Sequence, residues 1–303
     1  MDAHCVWEAG AQLGEGPVWS PSRNALFAVD IRGSRLLRYS PADGRGRDWP
    51  LEEAACWLVE RADGGFVAGL RSRRLVGLTL DGDRLSVGLE LLRLEEDTPG
   101  NRLNDAMADT AGRLWVGSMD DAEQDASGAL YRIGPDGSVA RADEGYTVSN
   151  GPALSPDGRT LYHTDSPSRT IFAFTLAADG TLSGKRVHIR FDEEDGYPDG
   201  MTCDAEGHLW VAHWSGGGSA ASGRTGLWIG WCGCRCPTSP PAPSVGRGWT
   251  SCSSPPPLRT RRTENRWQAD CSPARPASSG WRRGGSAPPE QAASLASGFD
   301  ILV

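Results

Sequence analysis

The sequence predicts an all-β chain: a β-propeller of four-stranded blades, with the last blade and the ring closure lost or disordered. Three observations carry this. Short strands that each hold one aromatic recur at a near-constant interval, Asp-Gly turns punctuate them, and no window sustains a helical period. The aromatics are Phe27, Phe66, Trp115, Tyr162 and Trp210, spaced 39, 49, 47 and 48 residues apart.

The first repeat is Ala25–Val29, followed by a second strand over Arg35–Tyr39 and the turn Ala42-Asp43-Gly44. The second holds Gly65–Gly69. The third has Leu114–Gly117, then Ala129–Ile133 before Pro135-Asp136-Gly137. The fourth has Leu161–Thr164, then Thr170–Leu176 before Ala178-Asp179-Gly180, and the fifth has Leu209–Ala212. Alternating strands joined by Asp-Gly read as hairpins, and hairpins at a period of about 40–50 residues read as propeller blades. A β-sandwich with accidental spacing is the bland alternative.

Composition narrows the function. Of 303 residues, 38% are hydrophobic and 23% charged, with a net charge of −8. The acidic balance argues against a nucleic-acid partner held through phosphates. No apolar run reaches the roughly eighteen residues of a membrane span. Met1–Gly10 has neither a basic nor an apolar leader segment, so no signal peptide is expected. Cys5, Cys56 and Cys203 are too scattered for a disulfide framework, which favours a reducing, cytoplasmic compartment.

Candidate chemistry sits where each repeat begins. Glu15 lies in Leu13–Trp19, Asn104 in Asn101-Arg102-Leu103-Asn104-Asp105, Asn150 in Ser149-Asn150-Gly151-Pro152, and Asp199 in Pro198-Asp199-Gly200-Met201. Each stands 11 or 12 residues before its repeat's aromatic. Any one Asn-Gly or Asp-Gly is ordinarily just a turn. Four at one register converge on one end of a propeller channel, where oxygen-bearing side chains make a hard-cation site. His163 and His213 are candidates for the substrate mouth or for plain packing. His208 and His213 are five apart and cannot share a metal on one strand. Cys232, Cys234 and Cys236 match no standard zinc spacing.

These motifs, with Gly112–Met119 and Gly207–Ala212, resemble the regucalcin/gluconolactonase family over residues 7–217. The resemblance implies a six-bladed propeller that hydrolyses sugar lactones to aldonic acids with one divalent metal ion (Ca, Zn, Mg or Mn). It implies Glu15, Asn150 and Asp199 as metal ligands, Asp199 also as the catalytic residue, and Arg102 and Asn104 as substrate contacts. The stretch Asp165–Ile171 looks more like the bacterial lactonases, and Ala106 departs from a common glycine. The partner implied is a small sugar lactone, for a monomer or weak oligomer. The alternatives are a non-catalytic propeller binding calcium or a small ligand, and an inactive product of a shifted reading frame.

The last alternative rests on a change of character. Residues 1–222 read as blades one to five. Residues 223–303 are rich in Pro, Ser, Arg and Cys, holding five of the eight cysteines. No sixth repeat is legible there, and residues 224–303 are expected to be irregular. Read one base out of phase, Gly248–Ser254 permits LDELFV and Leu227–Pro237 permits VDRVVRVPLP, strings that alternate like strands. The first falls about 40 residues past Trp210, where a sixth repeat is due. A disordered tail is the competing reading.

Overall fold

The computed structural model describes residues 2–3, 5–215, 218–222 and 228–234. A two-residue strand, β1 (Asp2–Ala3), comes first. The first blade is β2 (Gly14–Ser20), β3 (Ala25–Asp30), β4 (Arg35–Ser40) and β5 (Arg45–Pro50). The second is β6 (Ala55–Glu60), β7 (Phe66–Leu70), β8 (Arg74–Asp81) and β9 (Arg84–Arg93). The third is β10 (Asn101–Ala108), β11 (Leu114–Asp120), β12 (Gly128–Ile133) and β13 (Val139–Tyr146). The fourth is β14 (Ser149–Leu154), β15 (Thr160–Asp165), β16 (Thr170–Leu176) and β17 (Leu182–Arg190). The fifth is β18 (Tyr197–Cys203), β19 (Leu209–Trp214), β20 (Gly218–Ser222) and β21 (Trp228–Cys234). Each sheet pairs its strands antiparallel in chain order, and β1 adds to the fifth sheet, parallel to β21.

The propeller and its four-stranded blades stand as expected, and the one helical turn among the described residues is the 3-10 turn Glu193–Asp195. Blades form here because each hairpin buries one face against the next. β6 packs on β2 and β10, and β14 on β10 and β18, so the first strands form the inner wall in order. The repeat aromatics fill the seams. Phe27 meets Phe66 at 4.8 Å between ring centroids. Trp115 packs with Leu130, Tyr146, Leu161 and Phe174, and Tyr162 packs with Leu209 and Val211 of the next blade. Burying a side chain of this size stabilises by about 1.5–3 kcal/mol, which is why the interval is so regular.

Asp residues lock the turns. Asp109 accepts from the Arg113 backbone (3.0 Å), the Arg113 guanidinium (2.6 Å) and the Trp115 indole (3.0 Å). Asp204 repeats this with His208 N–H (2.7 Å), His208 Nδ1 (2.9 Å) and Trp210 (2.9 Å).

One expectation is revised and one lies beyond the described residues. A sixth blade is not among the described residues, and the expected position of that repeat lies outside them. Residues 228–234 are not irregular: they form β21, the fourth strand of the fifth blade, with Ser219 opposite Cys232. The physical reason is local, since Trp228-Ile229-Gly230-Trp231 is rich in strand-forming residues and follows a hairpin partner closely. The fifth sheet thus includes residues beyond 222.

Candidate active site

The inner strands carry the predicted residues, and each strand is distorted at the same place. In β2, Gly16 and Pro17 oppose the single residue Ala28; in β10, Asn104 and Asp105 oppose Gly117. In β14, Gly151 and Pro152 oppose His163; in β18, Asp199 and Gly200 oppose Ala212. These are β-bulges, which re-aim side chains beside functional sites. The 11-or-12 spacing now has a cause. Glu15 and Asn150 stand just before their bulges, while Asn104 and Asp199 open theirs.

Hydrogen bonds tie three blades together here. Arg102 donates to Asn104 Oδ1 (2.6 Å), and Asn104 Nδ2 donates to Asn150 Oδ1 and to the Ser149 carbonyl (each 2.8 Å). Asn150 Nδ2 is committed to Ser166 Oγ (2.9 Å), whose hydroxyl donates to the Pro198 carbonyl (2.6 Å). The Asn150 amide is thereby held with its carbonyl oxygen toward Asn104, leaving a second lone pair for a ligand. Asp105, which sequence reasoning passed over, accepts from Ala106 N–H (2.8 Å) and Gly151 N–H (2.9 Å). Asp199 accepts from Gly200 N–H (2.9 Å).

Charge is concentrated. Burial, then Asp199 and Asp105, push the Glu15 carboxyl well above the usual range, against the pull of Arg102. Burial, then Asp105, raise Asp199, again opposed by Arg102. Burial raises Asp105 despite its two backbone donors. Three half-buried carboxylates thus lie close enough to raise one another, with Arg102 as the nearby cation that offsets them. Buried like charges are expensive unless neutralised. A divalent cation with oxygen ligands fits this donor set, with Glu15, Asn150 and Asp199 the residues that would hold it. Gly151 lets the strands approach, at φ +39° with room on its side-chain face closed by the Met201 backbone N at 2.7 Å.

The second blade contributes differently. Cys56 is the extra residue of the β6 irregularity, between Ala55 and Trp57. Burial pushes its thiol up to about 11, and the Arg102 guanidinium opposes that shift. The signal for it was positional only, since no Asn-Gly or Asp-Gly marks this strand.

The histidines do not join the site. His163 is buried, bonds Ser149 Oγ at 2.9 Å and meets Tyr146 edge-on. His213 is buried on Phe191 and bonded to the Asp195 carbonyl. His208 precedes β19 and belongs to the Asp204 turn. Asp204, Glu206 and His208 could offer a metal three ligand atoms within 4.8 Å. That grouping repeats the Asp109 turn, where the position of His208 is filled by Arg113, so the turn accounts for Asp204 and His208 without an ion. Cys232 and Cys234 lie in β21, while Cys236, Cys252 and Cys271 lie outside the described residues.

Residues 13–236 match the SMP-30/gluconolactonase/LRE-like region. The chain is 36% identical over 213 residues to the pentonolactonase XacC of Haloferax volcanii, spanning 70% of each. Two solved structures are similar. The calcium-binding protein regucalcin of Agrobacterium tumefaciens superposes with a TM-score of 0.68 at 28% identity, over 74% of this chain and 75% of that one. A Xanthomonas campestris gluconolactonase superposes with a TM-score of 0.64 at 26% identity, over 76% and 78%.

Proposed function

The chain belongs to the SMP-30/gluconolactonase/LRE-like family, and on that premise we propose that it hydrolyses a sugar lactone to the aldonic acid with the help of one divalent metal ion. The observation that carries the reading is the set of half-buried Glu15, Asp105 and Asp199 with buried Asn150, gathered at the strand bulges and balanced by too little positive charge. The relatives named pentonolactonase and gluconolactonase support lactone hydrolysis as the reaction class.

When bound, a divalent ion supplies Lewis-acid polarisation of an ester carbonyl. Glu15, Asn150 and Asp199 would hold it. Asp199 takes a proton from the attacking water as the water oxygen bonds to the lactone carbonyl carbon. That proton passes to the ring oxygen as the carbonyl carbon–ring oxygen bond breaks, which opens the ring and balances the step. General-base help of this kind is worth about 10²–10⁴-fold. Arg102 and Asn104 orient the sugar through hydroxyl and ring oxygens. The same reading takes the protein as cytoplasmic and as a monomer or weak oligomer.

The decisive experiment removes metal with a chelator, restores it, and measures lactone turnover in Glu15→Gln, Asn150→Ala and Asp199→Ala. Each is expected to lose metal-dependent turnover. Full activity of Asp199→Ala in metal-replete buffer overturns the assignment.

The shifted-frame reading of the later residues is kept as part of the proposal. Its support is that the family match ends at residue 236, while the aligned pentonolactonase is of about the same length as this chain. Resequencing the codons from 215 to 226 tests it.

A further inference from the structure

Beside the site, between the second and third blades, lies a cavity of about 380 Å³ whose walls include Arg71, Arg73, Arg102, Glu53 and Asp121. Arg102 belongs to both spaces: its Nη1 serves Asn104, while its Nε lies 3.2 Å from Asp121. Asp121 is shared, because Arg71 also binds it through Nε at 3.2 Å and through Nη2. The second carboxylate is spent. Glu53 accepts from Ser72 N–H (2.7 Å) and pairs with Arg74, which is not in the wall. Arg73 donates through Nη1 to the carbonyls of Pro99 (3.1 Å) and Asn101 (2.8 Å). Three guanidiniums therefore face the cavity against one divided carboxylate. This excess of positive charge sits in a chain of net charge −8, next to a site crowded with carboxylates.

The location gives the excess a use. An anionic substrate entering the carboxylate-rich site is repelled unless its charge rests elsewhere. The Arg71 side chain is 58% exposed, so it is reachable and free to exchange Asp121 for a ligand, while Arg102 at 12% stays fixed. Guanidinium groups bind carboxylate and phosphate oxygens in pairs. We propose that Arg71, with Arg73 and Arg102 behind it, forms a subsite for an anionic substituent of the lactone. The preferred substrates are then lactones carrying a carboxylate or phosphate away from the ring carbonyl, over neutral ones. This rests on the lactonase reading above.

The test compares kcat/KM for glucono-δ-lactone, glucaro-1,4-lactone and 6-phosphogluconolactone in the full chain, in Arg71→Gln and in Arg45→Gln, a remote exposed control. Calorimetry of glucarate, gluconate and 6-phosphogluconate binding runs alongside. The expected result is a preference for an anionic lactone that falls about tenfold in Arg71→Gln, the range for one charge-assisted hydrogen bond, and is unchanged in Arg45→Gln. The carboxylate and phosphate arms identify which anion is read. Equal loss on neutral and anionic lactones in Arg71→Gln, or no preference in the unmodified chain, overturns the subsite while leaving the lactonase reading intact. If no lactone is hydrolysed, that reading falls separately, and calorimetry decides the subsite. Arg71-dependent binding of a dianion then supports it, and equal binding of gluconate and glucarate overturns it.

Discussion

Replacing Gly151 by alanine tests whether strand approach sets the site. A Cβ at Gly151 would stand 2.7 Å from the Met201 backbone N and 3.1 Å from the Asp199 carbonyl. Ordinary contact begins at 3.4 Å, so β14 and β18 must separate by 0.7 Å to restore it, the difference between 3.4 and 2.7. The Met201 Cγ, at 2.8 Å, can swing aside, but the other two obstructing atoms are backbone and cannot. The residue also holds φ +39°, where a side chain costs about 1–2 kcal/mol. Because Asn150 and Asp199 ride on the two strands, the shift spreads two proposed metal ligands. A displacement approaching 1 Å is enough for roughly a 100-fold loss of rate. The expected outcome for Gly151→Ala is a soluble chain with a Tm lower by several degrees and metal-supported lactone turnover down by about two orders of magnitude. Thermal unfolding, metal titration and initial rates measure it. Metal affinity and turnover matching the unmodified chain, with only the Tm lowered, would refute the view that this approach holds the ligands in place.

Other outcomes follow from the same geometry. Arg102→Ala and Asn104→Ala should raise KM for a lactone more than they weaken metal binding; loss of metal binding in Arg102→Ala by calorimetry contradicts that division. Burial holds the His163 imidazole down at about 3, against an ordinary 6.5. Between those values the unfolded chain takes up a proton that the folded chain refuses, so this contribution to stability is present above pH 6.5 and fades as pH falls. The drop in Tm from pH 7 to pH 5 should therefore be smaller in His163→Gln than in the unmodified chain, and an equal drop counts against it. The frame-restored chain should be more soluble, more stable and more active than the 303-residue chain. A missing blade re-exposes apolar faces worth about 25 cal/mol per Å²; equal solubility, Tm and turnover would show the change to be without consequence.

Most of the fold was legible because two periodic signals agree. Phe27, Phe66, Trp115 and Tyr162 mark seams that must be filled, and Asp-Gly turns mark hairpin tips that demand positive φ. β21 was not legible, because Trp228–Cys234 is followed by a Pro- and Arg-rich run that swamps its strand character. In the site, Glu15, Asn104, Asn150 and Asp199 stood out since Gly, Asn or Asp beside each betrays irregular backbone. Asp105 was overlooked as the second half of an Asn-Asp pair. Its role depends on Gly151 N–H from the next blade, a contact 46 residues away that no local pattern encodes. Cys56 was hidden for the opposite reason. Ala54-Ala55-Cys56-Trp57-Leu58-Val59 reads as an unbroken buried strand, and its irregularity is visible only in the pairing with β7. Arg71 and Asp121 are 50 residues apart and meet only through adjacency of blades two and three.

The repeated bulge bears on which genetic lesions the molecule can survive. A strand alternates faces every residue, and two residues opposing one shifts that alternation midway along β2, β10, β14 and β18. Losing a single codon there, for example that of Gly200, would restore an even pleat and turn every later residue of the strand to the other face. Met201, which packs with the buried cluster of the fourth and fifth blades, would turn outward. An in-frame deletion at a bulge should thus be more damaging than most substitutions of the same residues. The exposed tip between β4 and β5 should lose or gain a residue with little effect.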